Sequence, residues 1–226
     1  MTHPNGRQIA NPSQRQIANR EALLNAAEAL FASYGYHAVP VRDITGLAKV
    51  RVAEVNDLFG GKEALFYEVI KRRAPIINAM RQEKLGAIRL DISTDERLSV
   101  WIKAFSDPLN EKSQEGTGWR NYLRLVAQLT SSRAPILVSV VEFYNPIAMQ
   151  FVSELLKLYP ALPQATALRV HQFMVATCFS VFADNYRVNT LSQGQVTSSD
   201  FSASYNQALI FINAGARAII AESQSL

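Results

Sequence analysis

Between Arg42 and Lys62 the sequence sets charged and amide side chains three or four places apart within an otherwise apolar stretch, VRDITGLAKVRVAEVNDLFGGKEALF, residues 41–66. The set is Arg42, Lys49, Arg51, Glu54, Asn56, Asp57 and Lys62. Arginine, lysine and asparagine donate to phosphate oxygens, and an arginine reads a guanine edge through two parallel hydrogen bonds. Arg51 fits either role. Glu54 and Asp57 repel a nucleic-acid backbone unless they accept from cytosine amino groups or point away. The chemistry on offer is polyanion recognition. Catalysis is poorly served: the sequence brings together no carboxylate pair, no Cys/His or Ser/His set and no phosphate loop. The three histidines, His3, His37 and His171, lack metal-ligand spacing, and the one cysteine, Cys178, rules out an internal disulfide. No metal and no cofactor are expected.

Charge points the same way. Residues 1–90 hold 13 Lys and Arg against 8 Asp and Glu, a balance of +5; residues 91–226 hold 10 against 11, a balance of −1. The basic excess therefore sits at the front, where a polyanion partner would meet it. With 226 residues, 48% of them hydrophobic, the chain can bury a substantial core. No run nears the roughly 18 apolar residues of a membrane span, and the opening MTHPNGRQIANPSQRQ has no apolar signal segment, so a cytoplasmic protein is expected.

The elements that must carry these side chains are helices. RQIAN occurs twice, at 7–11 and 15–19. The first copy reads as tail, and Arg15 and Arg20 as tail or a flexible basic arm. Ile17, Leu24, Ala27, Phe31 and Tyr34 follow at helical spacing, with Gly35 as the stop. Pro40 suits the first turn of a second helix running to about Ala48, with Ile44 and Leu47 inward. Val52, Val55, Leu58 and Phe59 mark a third short helix ended by Gly60 and Gly61, and a fourth starts at Lys62. Helices this short, joined by about three residues, share one small core only by crossing steeply, as in a helix-turn-helix. Arg51, Glu54, Asn56 and Asp57 then form the free face of its second helix, the face that enters a major groove.

Residues 17–70 resemble the DNA-binding domain of the TetR family of bacterial transcriptional regulators. ALLNAAEALFASYGYHAVPVRDITGLAKVRVAEVNDLFGGKEALFYEVI carries the likeness. Its marks are the long helix ending in FASYGY, the VRDI opening, Ala48 and Val50 about the turn, and FGGKEALF. The chain departs from the family pattern in three places. Lys49 stands where a turn glycine is usual, which predicts either a strained left-handed lysine, costing roughly 1–2 kcal/mol, or a reshaped turn. Arg51 replaces a capping serine, and the tyrosine that contacts phosphate is missing, with Asn56 able to donate in its place. The resemblance implies phosphate contacts for Arg42 and Lys62, the latter at a helix N-terminus that itself favours anions.

The resemblance implies an all-α architecture: a flexible tail at 1–14, a three-helix DNA-binding head with the helix-turn-helix at 15–62, and a helical ligand-binding and dimerisation domain at 63–226. In the latter, polar breaks bound five predicted helices: Glu96–Asp107, Thr117–Ser131, Pro135–Tyr159, Gln164–Arg187 and Phe201–Ala221. The fourth is apolar around most of its circumference, with Phe173, Met174, Val175, Cys178, Phe179, Val181 and Phe182, and needs cover on two sides. A partner subunit would supply one side, as the family's four-helix dimer interface implies.

The resemblance also implies a pocket between these helices. Trp101, Phe105, Trp119, Tyr122, Phe143, Phe151, Met174 and Cys178 are candidate lining for an apolar or aromatic effector, although core packing alone also accounts for such residues. Gln150, Tyr122 and His171 are the polar groups that would orient it, with His171 equally a core histidine. Arg120 and Arg124 stand one turn apart and either hold a carboxylate or pair with Glu142. The expected function is a ligand-responsive homodimeric repressor bound to a palindromic double-stranded DNA operator. The alternative is a helical small-molecule carrier with weak or no specific DNA binding.

Overall fold

The computed structural model describes residues 13–130 and 135–224, and all regular structure among them is helical. The head comprises α1 (Gln14–Tyr34), α2 (Val41–Ala48), α3 (Ala53–Phe59) and α4 (Lys62–Lys71). The body follows with α5 (Ala74–Gly86), α6 (Thr94–Ser113), α7 (Thr117–Thr130), α8 (Asn145–Leu158), α9 (Gln164–Phe182), the short α10 (Arg187–Leu191) and α11 (Phe201–Ser223).

Helix α1 begins earlier than the apolar periodicity predicts. Ser13 and Gln16 form a capping box: the Ser13 amide donates to Gln16 Oε1 at 2.8 Å and the Gln16 amide to Ser13 Oγ at 3.2 Å. The second RQIAN copy is therefore helix, not arm. Arg20 pairs with Glu68 of α4 and lies 5.2 Å over the Phe59 ring. The first copy, with residues 1–12 of the expected tail, lies outside the described residues. Leu23, Leu24, Ala27 and Phe31 are buried, while Ile17 and Tyr34 are exposed. Gly35, at φ +78°, ends the helix by donating to the Phe31 carbonyl at 2.9 Å.

Four predicted helices are redrawn. The segment after Lys62 divides at Arg72 and Arg73, because Pro75 at the front of α5 lacks the amide that a continuous helix needs. Helix α6 starts at Thr94 on a Ser93/Glu96 capping box and runs past Asp107 and Pro108 to Ser113, since Leu98, Trp101, Ile102, Phe105 and Leu109 keep one face buried. The expected helix Pro135–Tyr159 is two 3-10 turns, Pro135–Ser139 and Val141–Phe143, followed by α8. Pro146 sets the start of that helix. Helix α9 ends at Phe182, where Asp184 and Tyr186 take left-handed backbone conformations.

Head and body meet along α1 and α7. Gln128 Nε2 donates to the Ala32 carbonyl at 2.6 Å. Glu28, only 2% exposed, accepts from Arg72 Nη2 at 2.6 Å and from Arg73 Nε at 2.7 Å. A charge buried so deeply is tolerated because two cations and their hydrogen bonds compensate it.

Candidate functional site

The short helices α2 and α3 are joined at Lys49, which takes the left-handed conformation at φ 56°, ψ 41°. The turn is thus not reshaped. Its lysine accepts the backbone strain, and the Val50 amide closes onto the Thr45 carbonyl at 3.0 Å. Ile44 and Val55 hold the two helices to the core. Leu47 and Val52, expected inward, are exposed, because neither falls on the face that meets α1.

The face presented by α3 is less acidic than expected. Arg51, Asn56 and Asp57 are exposed as predicted, but Glu54 is buried at 7% exposure. Its carboxylate turns back to accept from Arg51 Nη2 at 2.9 Å. That hydrogen bond holds the Glu54 carboxyl below its usual range and raises the guanidinium further. Arg42 is largely exposed, with Asp43 at 3.6 Å. Lys62, for which the resemblance implies a phosphate contact, has its ammonium 4.3 Å from the Tyr36 ring centre, and desolvation lowers its pKa.

Behind the head, α5 to α9 line a largely apolar, partly open cavity of about 200 Å³. Phe105 of α6, Val126 and Leu129 of α7, Ile147 of α8, and Val175 and Phe179 of α9 form its walls. Arg81, Tyr144 and His171 are its prominent polar groups. Arg81 donates Nε to the Phe105 carbonyl at 3.0 Å and lies 3.8 Å over that residue's ring. Burial lowers its pKa to about 10, and it lowers that of His171 to about 4, with the Arg81 charge adding to the second shift. Tyr122 and Tyr144 share a 3.3 Å hydroxyl contact, and burial pushes Tyr122 up to about 12.

Of the predicted lining, Phe105 and His171 face this cavity. Phe151 packs edge-on against Phe105 at 5.4 Å and backs the wall, and Tyr122 acts from behind Tyr144. The other predicted residues lie elsewhere. Trp101 donates to the Phe151 carbonyl at 3.0 Å and, with Gln150, borders a separate groove beside Gln82 and Arg97. Trp119 is held between Arg73 and Lys112, and Phe143 packs on Tyr67 at 5.1 Å. Met174 lines a groove on the far side of α9. Cys178 is buried, its thiol pushed up to about 12 by desolvation. Arg124 pairs with Asp184 and Arg120 donates to the Ser113 carbonyl at 2.9 Å, so neither awaits a carboxylate or Glu142. Arg81 and Tyr144 were not among the predicted residues. The signal for Arg81 was its place four residues after Ile77, in the apolar stripe of α5.

Residues 23–69 match the family described as "Bacterial regulatory proteins, tetR family", and residues 103–215 match "Tetracyclin repressor-like, C-terminal domain". The chain belongs to the TetR family. Members are non-enzymatic DNA-binding transcription factors, and this chain is a transcriptional regulator of that family. No curated protein matches it by sequence. Among solved structures it resembles Salmonella enterica GusR, with TM-score 0.58 and 14% identity over 93% of this chain and 99% of that one. FadR from Bacillus subtilis, in complex with stearoyl-CoA, gives TM-score 0.57 and 15% identity over 86% and 98%. The SmeT–triclosan complex gives 0.58 and 18% over 88% and 91%. At these identities the likeness is one of fold.

In this TetR-family chain the outer faces of α9 and α11 carry exposed Leu168, Phe173, Ile210 and Phe211, the last 71% exposed. Cys178, Phe179 and Phe182 are buried on the inner side of α9, while Phe173 on its outer side is exposed in the single chain. No helix among the described residues is long and apolar enough to cross a membrane.

Proposed function

We propose that this regulator is a homodimeric repressor, released from a palindromic operator when a small, largely apolar molecule enters the cavity among α5 to α9. The observation that carries the reading is the mechanical connection between cavity and head. Helix α7 supplies Val126 and Leu129 to the cavity wall and packs along α1, the support of the helix-turn-helix. An occupant that displaces α7 or α9 therefore changes the position of the DNA-reading head. Two heads fit two half-sites at only one separation, so a shift lowers operator affinity, and linkage requires the operator to lower effector affinity by the same factor.

Two copies are required because one short recognition helix makes too few contacts. Pairing through α9 and α11 would bury Phe173, Ile210 and Phe211. Within each head, Arg51, Val52, Asn56 and Asp57 are the candidate base-edge contacts, with Val52 suited to a thymine methyl. Arg42, Lys49 and the N-terminus of α4 are the candidate phosphate contacts, and Lys62 would first have to leave Tyr36. The solved relatives holding stearoyl-CoA and triclosan support an effector with an apolar body.

Selection of bound sequences from random duplex DNA by the purified protein tests the reading. Enrichment of a palindrome with half-sites about one helical turn apart is the expected result. A folded dimer that enriches no motif would refute the repressor assignment and favour a small-molecule carrier.

A further inference from the structure

Arg81, one of the residues lining the cavity, is 3% exposed, and its buried Nη2 atom has no hydrogen-bond partner. His171 Nε2 is likewise buried without a partner. The ionisable side chains coupled to Arg81 are Tyr122, Cys178, Tyr144 and His171, all uncharged at neutral pH, and no carboxylate pairs with the guanidinium among the described residues. The arginine remains a cation there, since even with its lowered pKa of about 10 it stays protonated at neutral pH. Elsewhere the fold compensates such charges: Glu28 meets Arg72 and Arg73, and Asp184 meets Arg124. At the cavity it does not. A buried cation with no counter-ion beside a largely apolar cavity carries a desolvation cost that an anion bound there would offset.

We propose that the effector is a small carboxylate with an apolar body, its carboxylate accepting from Arg81 Nη2 and its body seated against Phe105, Val126 and Phe179. The assignment rests on the regulator reading for its biological meaning and adds the ligand's chemical class. A single arginine matches a monoanion, whereas a phosphate dianion would leave one charge unmet. The guanidinium lies 3.8 Å over the Phe105 ring and its Nε is taken by the Phe105 carbonyl, which leaves Nη2 as the donor for the carboxylate. At about 200 Å³ the cavity lies below the roughly 300–1,000 Å³ of drug-sized pockets, which selects a short-chain or single-ring acid. His171 Nε2 is the second group available to the bound acid.

The test is calorimetric titration of the full-length protein, without DNA, with matched pairs: benzoate and benzamide, 3-phenylpropanoate and its amide, hexanoate and hexanamide. Wild type is expected to bind at least one acid about tenfold or more tightly than its amide, the usual scale of a charge-assisted hydrogen bond in a dry site. Arg81→Met should reduce the acid to the affinity of its amide, while Arg81→Lys keeps a preference for the acid. If Arg81→Met fails to fold, the acid-to-amide ratio in wild type decides alone. Equal affinity within every pair, or no acid binding at millimolar concentration, overturns the proposal. Operator binding with no acid preference would leave the repressor reading standing without this ligand class. Acid binding by a protein that enriches no DNA motif would support the carboxylate site and remove its regulatory role.

Discussion

Arg51 and Glu54, one turn apart at the start of the recognition helix, are joined by a 2.9 Å hydrogen bond that holds one of that helix's two acids away from its exposed face. The pair also restrains the side chain best placed to read guanine. Glu54→Gln should therefore free Arg51 for a base edge, tighten binding to duplex DNA several-fold and leave the salt slope, which counts phosphate contacts, unchanged. Fluorescence anisotropy at several salt concentrations measures both. Unchanged or weaker binding would show that the pair is retained to orient Arg51 in the complex.

Lys49 holds a left-handed conformation that costs a side-chain-bearing residue roughly 1–2 kcal/mol. Lys49→Gly should raise unfolding stability by about 1 kcal/mol, part of the relief being offset by the freer unfolded chain. Urea denaturation gives the difference. A fall in stability would mean that the exposed lysine makes a compensating contact.

Where the sequence was legible and where it was not follows from these cases. The helix-turn-helix could be read because Gly35, Pro40 and the Gly60–Gly61 pair punctuate it, and Ile44 and Val55 anchor it. Glu54 was misplaced because helical periodicity puts it on the free face, whereas its carboxylate folds back onto Arg51. In the body, aromatic residues look alike in sequence whether they line a cavity or fill a core. Phe105 and Phe151 differ only in whether empty space lies beside them, and that depends on helix crossing angles that no local pattern encodes. Arg81 was missed because α4 and α5 were read as one segment, which hid its apolar register.

His171 is kept neutral by burial, with the Arg81 charge adding to the effect, so its folded pKa of about 4 lies below its unfolded value of 6.5. Between those values the unfolded chain binds a proton that the folded chain does not, and stability falls as pH drops. The contribution is on the order of 3 kcal/mol across that window. His171→Gln should show a smaller loss between pH 7 and pH 4.5 in urea titrations. An equal loss would place the acid sensitivity elsewhere.

Buried Glu28 ties α1 to the α4–α5 junction through Arg72 and Arg73, and the Arg73 guanidinium also lies 4.5 Å over the Trp119 ring at the start of α7. Glu28→Gln leaves two cations short of their counter-charge and should cost about 3 kcal/mol. Gly118→Ala would drive a methyl group into Arg73 Nη2 and disturb the same junction. Thermal denaturation of both variants should show lowered Tm; unchanged values would show that head and body are held without this cluster.

Phe211 stands exposed on the outer face of α11. If the chain pairs through α9 and α11 as proposed, Phe211→Glu should yield monomers, read by sedimentation, and abolish binding to a two-half-site duplex. A variant that stays dimeric would move the interface away from α9 and α11.

The most direct test of the central claim is the salt dependence of binding between the purified protein and the palindrome it enriches. A dimer making several phosphate contacts should show log affinity falling linearly with log salt, with a slope of about −0.9 per contact and several contacts in total. A slope indistinguishable from zero, or no sequence-selective binding at low salt, would contradict the account.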